Sequence, residues 1–388
     1  MVNVRNLAAS LAFSTLLGAA AAHPGDTAEE VRRELAAHNA AFPFARRAIS
    51  ACATSANTAA LKARSVARRA ATAEALRQKR GATTKPLKSK RDQAGFNKWS
   101  VVDHDSTSLG YDLDTSLATI FDSNSSVALV PEVTIGPYWV SGELIRSDVT
   151  DGQAGVPLHL DLQFIDLNTC EPIPAETLVD IWACNATGVY SGVSASGQGG
   201  LNTTHGRGIQ KTDEDGVVQF DTILPGHYTG RTPHIHLMST SNATLFPNNT
   251  YAADSGTPSH IGQLFFDQDL LTEAGQLLPY STNTQSLTLN SQDGIGISQA
   301  TVDYDPFVDY VRLGETLDDG LLAFLTVFVN TTADQSANRQ AAAHYLEGGG
   351  VSTGNGGGGP GGPGGPGGPG GPGGPGGNGT FPTGGPRP

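Results

Sequence analysis

The chain has 388 residues, a formal net charge of −13 and three cysteines. That length allows one large domain or two smaller ones. The cysteine count excludes a disulfide-dense miniprotein and a cysteine-built zinc ribbon, and the acidic balance argues against a nucleic-acid partner. The average hides a split: residues 26–98 carry 16 basic and 6 acidic side chains, whereas residues 99–388 carry 7 and 31.

Residues 1–22 read as a signal peptide: Arg5 gives the positive start, an apolar stretch follows, and Ala20, Ala21 and Ala22 form the small-residue cleavage site. The apolar stretch is too short to span a bilayer, so a secreted, extracellular protein is expected. Asn-x-Ser/Thr sequons at Asn124, Asn185, Asn202, Asn242, Asn248, Asn330 and Asn378 agree with that compartment and are expected to carry glycans. An oxidising compartment also makes a Cys170–Cys184 disulfide plausible, with Cys52 left over.

Residues 23–98 are rich in Ala and Arg and predict a basic helical arm, broken near Pro43. Two readings stay open for it. It packs on the acidic domain, where it also offers a surface for a homodimer, or it is a pro-segment removed at Lys79-Arg80 or Lys90-Arg91. From residue 99 to about 347 the pattern turns strand-like. Leu158, Leu160, Leu162 and Phe164 alternate with His159, Asp161 and Gln163, and Leu321, Ala323, Leu325, Val327 and Val329 repeat the period. Short alternating runs between Gly, Pro, Asn and Asp clusters predict an antiparallel β-sandwich. A closing helix is predicted over residues 333–346, and the Gly-Gly-Pro array within 348–388 is expected to be a disordered tail.

The chemistry concentrates in residues 225–236. His234 and His236 sit two apart on a predicted strand, so both imidazoles project from one face while Ile235 turns inward. Such a pair is half of a metal site. Tyr228 precedes it, Arg231 stands three residues before His234, and Tyr190 closes an earlier run beginning at Val179. His227 alternates to the other face of an extended segment and is excluded as a ligand.

Across residues 99–330 the sequence resembles the intradiol ring-cleavage dioxygenases, most closely their secreted fungal branch. Patches at 136–146, 180–192, 224–236 and 262–267 carry the resemblance. It implies a non-haem ferric ion, Fe(III), held by Tyr190, Tyr228, His234 and His236. It also implies that Arg231 and Gln263 lie beside a bound catechol and that O2 is inserted to give a cis,cis-muconate. In that scheme Tyr228 leaves the metal and takes a substrate proton. Ala183 departs from the polar residue expected at its position. The ligand set is chemically consistent on its own terms, because a hard trivalent cation favours anionic oxygen and also accepts imidazole. The partners expected are therefore a small aromatic diol and O2. Two rival functions remain: a non-enzymatic wall or matrix sandwich, and a copper-dependent polysaccharide oxidase using an exposed His23.

Overall fold

The computed structural model describes residues 48, 51–52, 55–82, 127–128 and 133–354, the last without 248–249, 253 and 300–304. The signal peptide, His23, the dibasic pair at 90–91, the sequons at Asn124, Asn248 and Asn378 and the Gly-Gly-Pro array lie outside these residues. Among the described residues no helix is long and apolar enough to cross a membrane.

Helix α1 (Ala56–Arg80) begins where the Ser55 hydroxyl accepts from the Asn57 amide and ends at Gly81, whose φ of 65° lets its amide turn back to the last carbonyls. Leu61, Ser65, Arg69, Ala73 and Leu76 recur every three or four residues, with Val66 beside Ser65, which puts them on one buried face. The strands then run in chain order: β1 (Val127–Ala128), β2 (Val140–Ser141), β3 (Pro157–Asp166), β4 (Leu178–Trp182), β5 (Arg207–Lys211), β6 (Val217–Ile223), β7 (His234–Ser241) and β8 (Thr257–Phe265). Short helices α2 (Gln268–Ala274) and α3 (Gly294–Gln299) separate these from β9 (Asp309–Arg312), β10 (Leu321–Val329), β11 (Ala343–Leu346) and β12 (Gly349–Ser352).

One sheet runs β1-β10-β3-β6 with β9 also on β10, and a second runs β5-β4-β7-β8. The predicted alternation in β3 explains how they meet. Leu158, Leu160, Leu162 and Phe164 join Val179, Ile181, Ile235, Leu237 and Leu264 in one core between the sheets. Each such side chain contributes about 1.5–3 kcal/mol by leaving water. The opposite face of β3 receives α1. Val66, Ala73 and Leu76 pack on Val311, Leu313, Leu322 and Phe324, while Arg68 and Arg69 both reach Asp161 at 2.9 Å. Thus Asp161 is fully buried yet ionised: burial alone would raise its pKa, but the two guanidiniums hold it well below the usual carboxylate range.

Four expectations need correction. The sandwich is mixed, not purely antiparallel, because β10 pairs parallel with β3 and with β1, and β11 pairs parallel with β2. Period-2 alternation specifies a half-buried strand but not the direction of its neighbour. The predicted closing helix is instead a short turn of 3-10 helix at Ser336–Asn338 followed by β11. Ala341, Ala342 and Ala343 are packed against Trp139, and Ala343 pairs with Val140; tertiary pairing overrides alanine's helical preference. Gly349–Ser352 forms β12 against β11, so ordered structure continues past residue 348. Finally, the disulfide joins Cys52 to Cys170, and Cys184 is a buried free thiol. Strand β4 carries the chain away from the turn at Cys170, and the Cys184 thiol donates instead to the Gly226 carbonyl. The bond therefore ties the helical arm to the sandwich.

Candidate metal centre

The site lies on the face of the second sheet turned away from the shared core. In β7, Ile235 and Leu237 enter the core, which leaves His234 and His236 together on the other face. Their Nε2 atoms stand 3.1 Å apart. The Nδ1 of His234 lies 2.6 Å from the Thr232 carbonyl, to which it donates. That bond fixes the proton on Nδ1 and leaves the Nε2 lone pair for the centre of the site. Register places Trp182 opposite His236, and the two rings stack at 4.8 Å with planes 9° apart, holding the imidazole's orientation.

Two loops bring the tyrosines over this pair, and small residues let them meet. A Cβ at Gly188 would lie 2.2 Å from the His227 carbonyl, and one at Gly226 would lie 2.2 Å from the Ala186 carbonyl. Gly188 also has φ of 77°, which favours glycine. Asn185 shapes the first loop: its Oδ1 accepts from the amides of Thr187 and Val189, while its Nδ2 donates to Gln153 at 3.0 Å. Gln285 clamps the loops from outside, donating to the carbonyls of Thr187 and Gly188 and accepting from the Thr229 amide. Tyr190 and Tyr228 consequently face each other with ring centroids 5.6 Å apart. Tyr228 lies 5.6 Å from His234, and Tyr190 lies 6.5 Å from His236. All four rings are buried.

The chemistry of this quartet fits a cation. Both tyrosine hydroxyls are buried with no hydrogen-bond partner among the described residues. Leaving such a group unsatisfied costs about 1–3 kcal/mol each, so a folded protein with two orphans side by side calls for a ligand. Burial, then Tyr228, push the Tyr190 phenol well above its ordinary pKa; burial raises Tyr228 as well, against the pull of Arg231. A bound cation reverses that penalty by favouring the phenolates. Among the described residues no cluster of three His, Cys, Asp or Glu offers a competing site.

The structure brings the other predicted residues alongside. Gln263 is the register partner of His236 on β8 and accepts from Arg231 at 2.5 Å. Arg231 is fully buried and also donates to Asp293 at 2.8 Å. Asp293 in turn accepts from the amides of Thr232, Ile295 and Gly296. Burial would raise Asp293, but Arg231 first and then His234 hold it below the ordinary carboxylate value. His227 points away, with its Nε2 at the Gln285 carbonyl. Tyr138 packs 4.7 Å from Tyr190 and lines the cleft that opens on Tyr228.

Sequence reasoning missed Asp293, Arg207 and Glu143. Asp293 directly precedes a Gly-Ile-Gly helix start, a capping signal that was available. Arg207 donates to the Tyr138 and Ser191 carbonyls, fixing the segments on either side of Tyr190. Its nearest carboxylate is Glu143 at 3.7 Å. Burial pushes Glu143 up to about 7 even though Arg207 opposes it.

A family model described as Dioxygenase matches residues 136–285. Among solved structures, an intradiol ring-cleavage dioxygenase from Tetranychus urticae is 29% identical over 53% of this chain and 96% of its own, with a TM-score of 0.44. A second dioxygenase crystal structure is 30% identical over 54% of this chain and 97% of its own, with a TM-score of 0.43. The dioxygenase domain of a carbohydrate-binding fusion from the cellulolytic bacterium Streptomyces sp. SirexAA-E is 21% identical over 52% and 97%, with a TM-score of 0.34. No curated protein matches the chain.

Proposed function

We propose that this chain, which matches the Dioxygenase family model over residues 136–285, is a secreted Fe(III) intradiol enzyme that opens catechol rings between the two hydroxylated carbons. The observation that carries the metal assignment is the packing of two tyrosine rings, their phenol oxygens buried without partners, against two imidazoles whose Nε2 atoms stand 3.1 Å apart. Tyr190, Tyr228, His234 and His236 would hold the ion. When bound, ferric iron supplies a Lewis-acidic centre on which a catechol dianion is chelated and made reactive towards O2.

The remaining work falls to the chain's own residues. Tyr228 belongs both to the lining of the cleft and to the quartet, so it is the tyrosine an entering catechol meets first, and with the cation bound its phenolate Oη would take a proton from a catechol hydroxyl. Tyr190 is fully enclosed and is the tyrosine suited to stay in place. The Arg231 guanidinium, locked by Asp293 and Gln263, presents a fixed positive dipole to negative charge developing on the substrate. Because Asp293 offsets its charge, Arg231 acts through position more than through net field. Trp182 and Tyr138 exclude water from the quartet.

Secretion is supported by the signal-peptide pattern and by the Cys52–Cys170 bond, which suits an oxidising compartment. The sequon residues Asn202 and Asn242 are exposed and accessible to glycans. The function is tested by purifying the secreted protein, measuring its iron content and following oxygen uptake on a panel of catechols. Iron near one per chain with muconate-type products supports the reading. Iron-free protein that consumes no oxygen returns the chain to the non-enzymatic alternative.

A further inference from the structure

The cleft that opens on Tyr228 has a volume of about 410 Å³. Sites of about 300–1,000 Å³ accommodate drug-sized ligands, so this one has room well beyond a single dihydroxybenzene ring. Its inner end is aromatic and apolar, formed by Tyr138, Tyr228 and Val189. The outer rim is a set of neutral hydrogen-bonding groups. Ser196, Thr229 and Thr284 line it and are exposed, and among the described residues their hydroxyls have no protein partner. Gln198 uses its Oε1 to accept from the Tyr190 amide, which leaves its Nε2 donors unengaged.

Among the described residues no charged side chain lines this cleft. The cation nearest in role, Arg231, is 1% exposed and committed to Asp293 and Gln263. A carboxylate on the substrate would therefore leave water without gaining a counter-ion, in a protein whose net charge is −13. A neutral extension bearing hydroxyls would exchange its water for the rim groups at little cost.

We infer that the substrate of this site is an uncharged catechol carrying a hydroxyl-bearing extension, and that carboxylated catechols are disfavoured. This inference rests on the ring-cleavage reading and specifies its substrate class. Rim hydroxyls that have no structural duty are the observation behind it. Gln285, by contrast, lines the same cleft but spends its side chain clamping the two tyrosine loops.

The test compares unsubstituted catechol, 3,4-dihydroxyphenylacetate and its neutral 2,3-dihydroxypropyl ester as substrates of the iron-loaded full-length protein. The ester should exceed the acid in kcat/KM by about tenfold or more, the range expected for an unpaired polar group entering a site. Ser196→Lys adds a cation at the rim and should move the ester-to-acid ratio towards one. The ratio is read within one preparation, so a general loss of activity cancels. An acid used as well as the ester overturns the inference while leaving ring cleavage intact. A ratio indifferent to Ser196→Lys removes the extension from this cleft and overturns it too. Failure to cleave any of the three, catechol included, overturns the ring-cleavage reading itself, and the substrate class falls with it.

Discussion

Asp293 receives the Nε of Arg231 at 2.8 Å with both side chains excluded from solvent. The pair makes Arg231 a positioned group, and removing either member exposes the other as a buried, unpaired charge. Arg231→Ala should therefore destabilise the fold by about 3–5 kcal/mol, the usual cost of breaking a buried pair. Adding Asp293→Asn should recover much of that loss. It should not recover turnover, because the donor proposed to face the substrate is still gone, at a cost of about 10²–10³ in kcat. Chemical denaturation and oxygen uptake on the single and double variants check both halves. If the double variant regains activity along with stability, Arg231 has only a structural role.

The arm is held covalently as well as by charge. Cys52–Cys170 closes a sequence separation of 118 residues, which in the chain-entropy model stabilises the fold by about 4–5 kcal/mol. Cys170→Ser should lower the midpoint of urea unfolding accordingly, and non-reducing peptide mapping should link 52 with 170. Cys184 should resist alkylation until the protein unfolds. Rapid labelling of Cys184 in the native state would place it outside the core.

Glu143 gives a pH dependence of definite sign. Its folded value, about 7, lies above the ordinary carboxylate value. The folded state therefore binds the proton more tightly than the unfolded chain does. Stability from this group is fully present below about pH 4.5, falls as pH rises, and stops falling above about pH 7, a loss of about 3 kcal/mol over that window. Glu143→Gln should flatten this slope while preserving the side chain's shape. Asp161 works in the opposite direction. With its pKa depressed by Arg69 and Arg68, it stabilises at neutral pH and loses that contribution as pH falls through and below the ordinary carboxylate range. Urea midpoints across pH 3–8 for the native protein, Glu143→Gln and Asp161→Asn separate the two; identical slopes in the native protein and Glu143→Gln would assign Glu143 an ionised state throughout.

What could be read from the sequence followed from local rules. The period of β3 and β10 gave the strands and their inward residues, and the two-residue spacing of His234 and His236 gave their common face. Tyr190 and Tyr228 came from motif resemblance, since nothing local requires two loops to meet. Their meeting depends on Gly188 and Gly226, whose need for close approach shows only when both loops are in place. Strand direction, the Cys52–Cys170 pairing and the Arg231–Asp293 contact are long-range relationships between segments 60 to 160 residues apart. The alanines at 341–343 misled for the same reason: their helical preference is weak beside a β2 strand and a Trp139 surface that the sequence places 200 residues away.

The last prediction separates the two tyrosines. Tyr→Phe removes only an oxygen and keeps ring packing, so a buried hydroxyl without a partner should be lost at little cost or even with a gain in apo-protein stability. Iron-loaded protein should show a visible tyrosinate-to-iron charge-transfer band. Tyr190→Phe should weaken iron retention and alter that band, because the fully enclosed ring is the ligand expected to stay bound. Tyr228→Phe should retain more iron but slow catechol binding, since the phenol oxygen proposed to take the substrate proton is missing. His234→Ala or His236→Ala should empty the site, as each removes one of the two facing Nε2 atoms. Metal analysis, absorption spectra and anaerobic catechol titration measure these outcomes. If both Tyr→Phe proteins keep the native iron content and spectrum, the phenol oxygens are not ligands, and their burial without partners needs another cause.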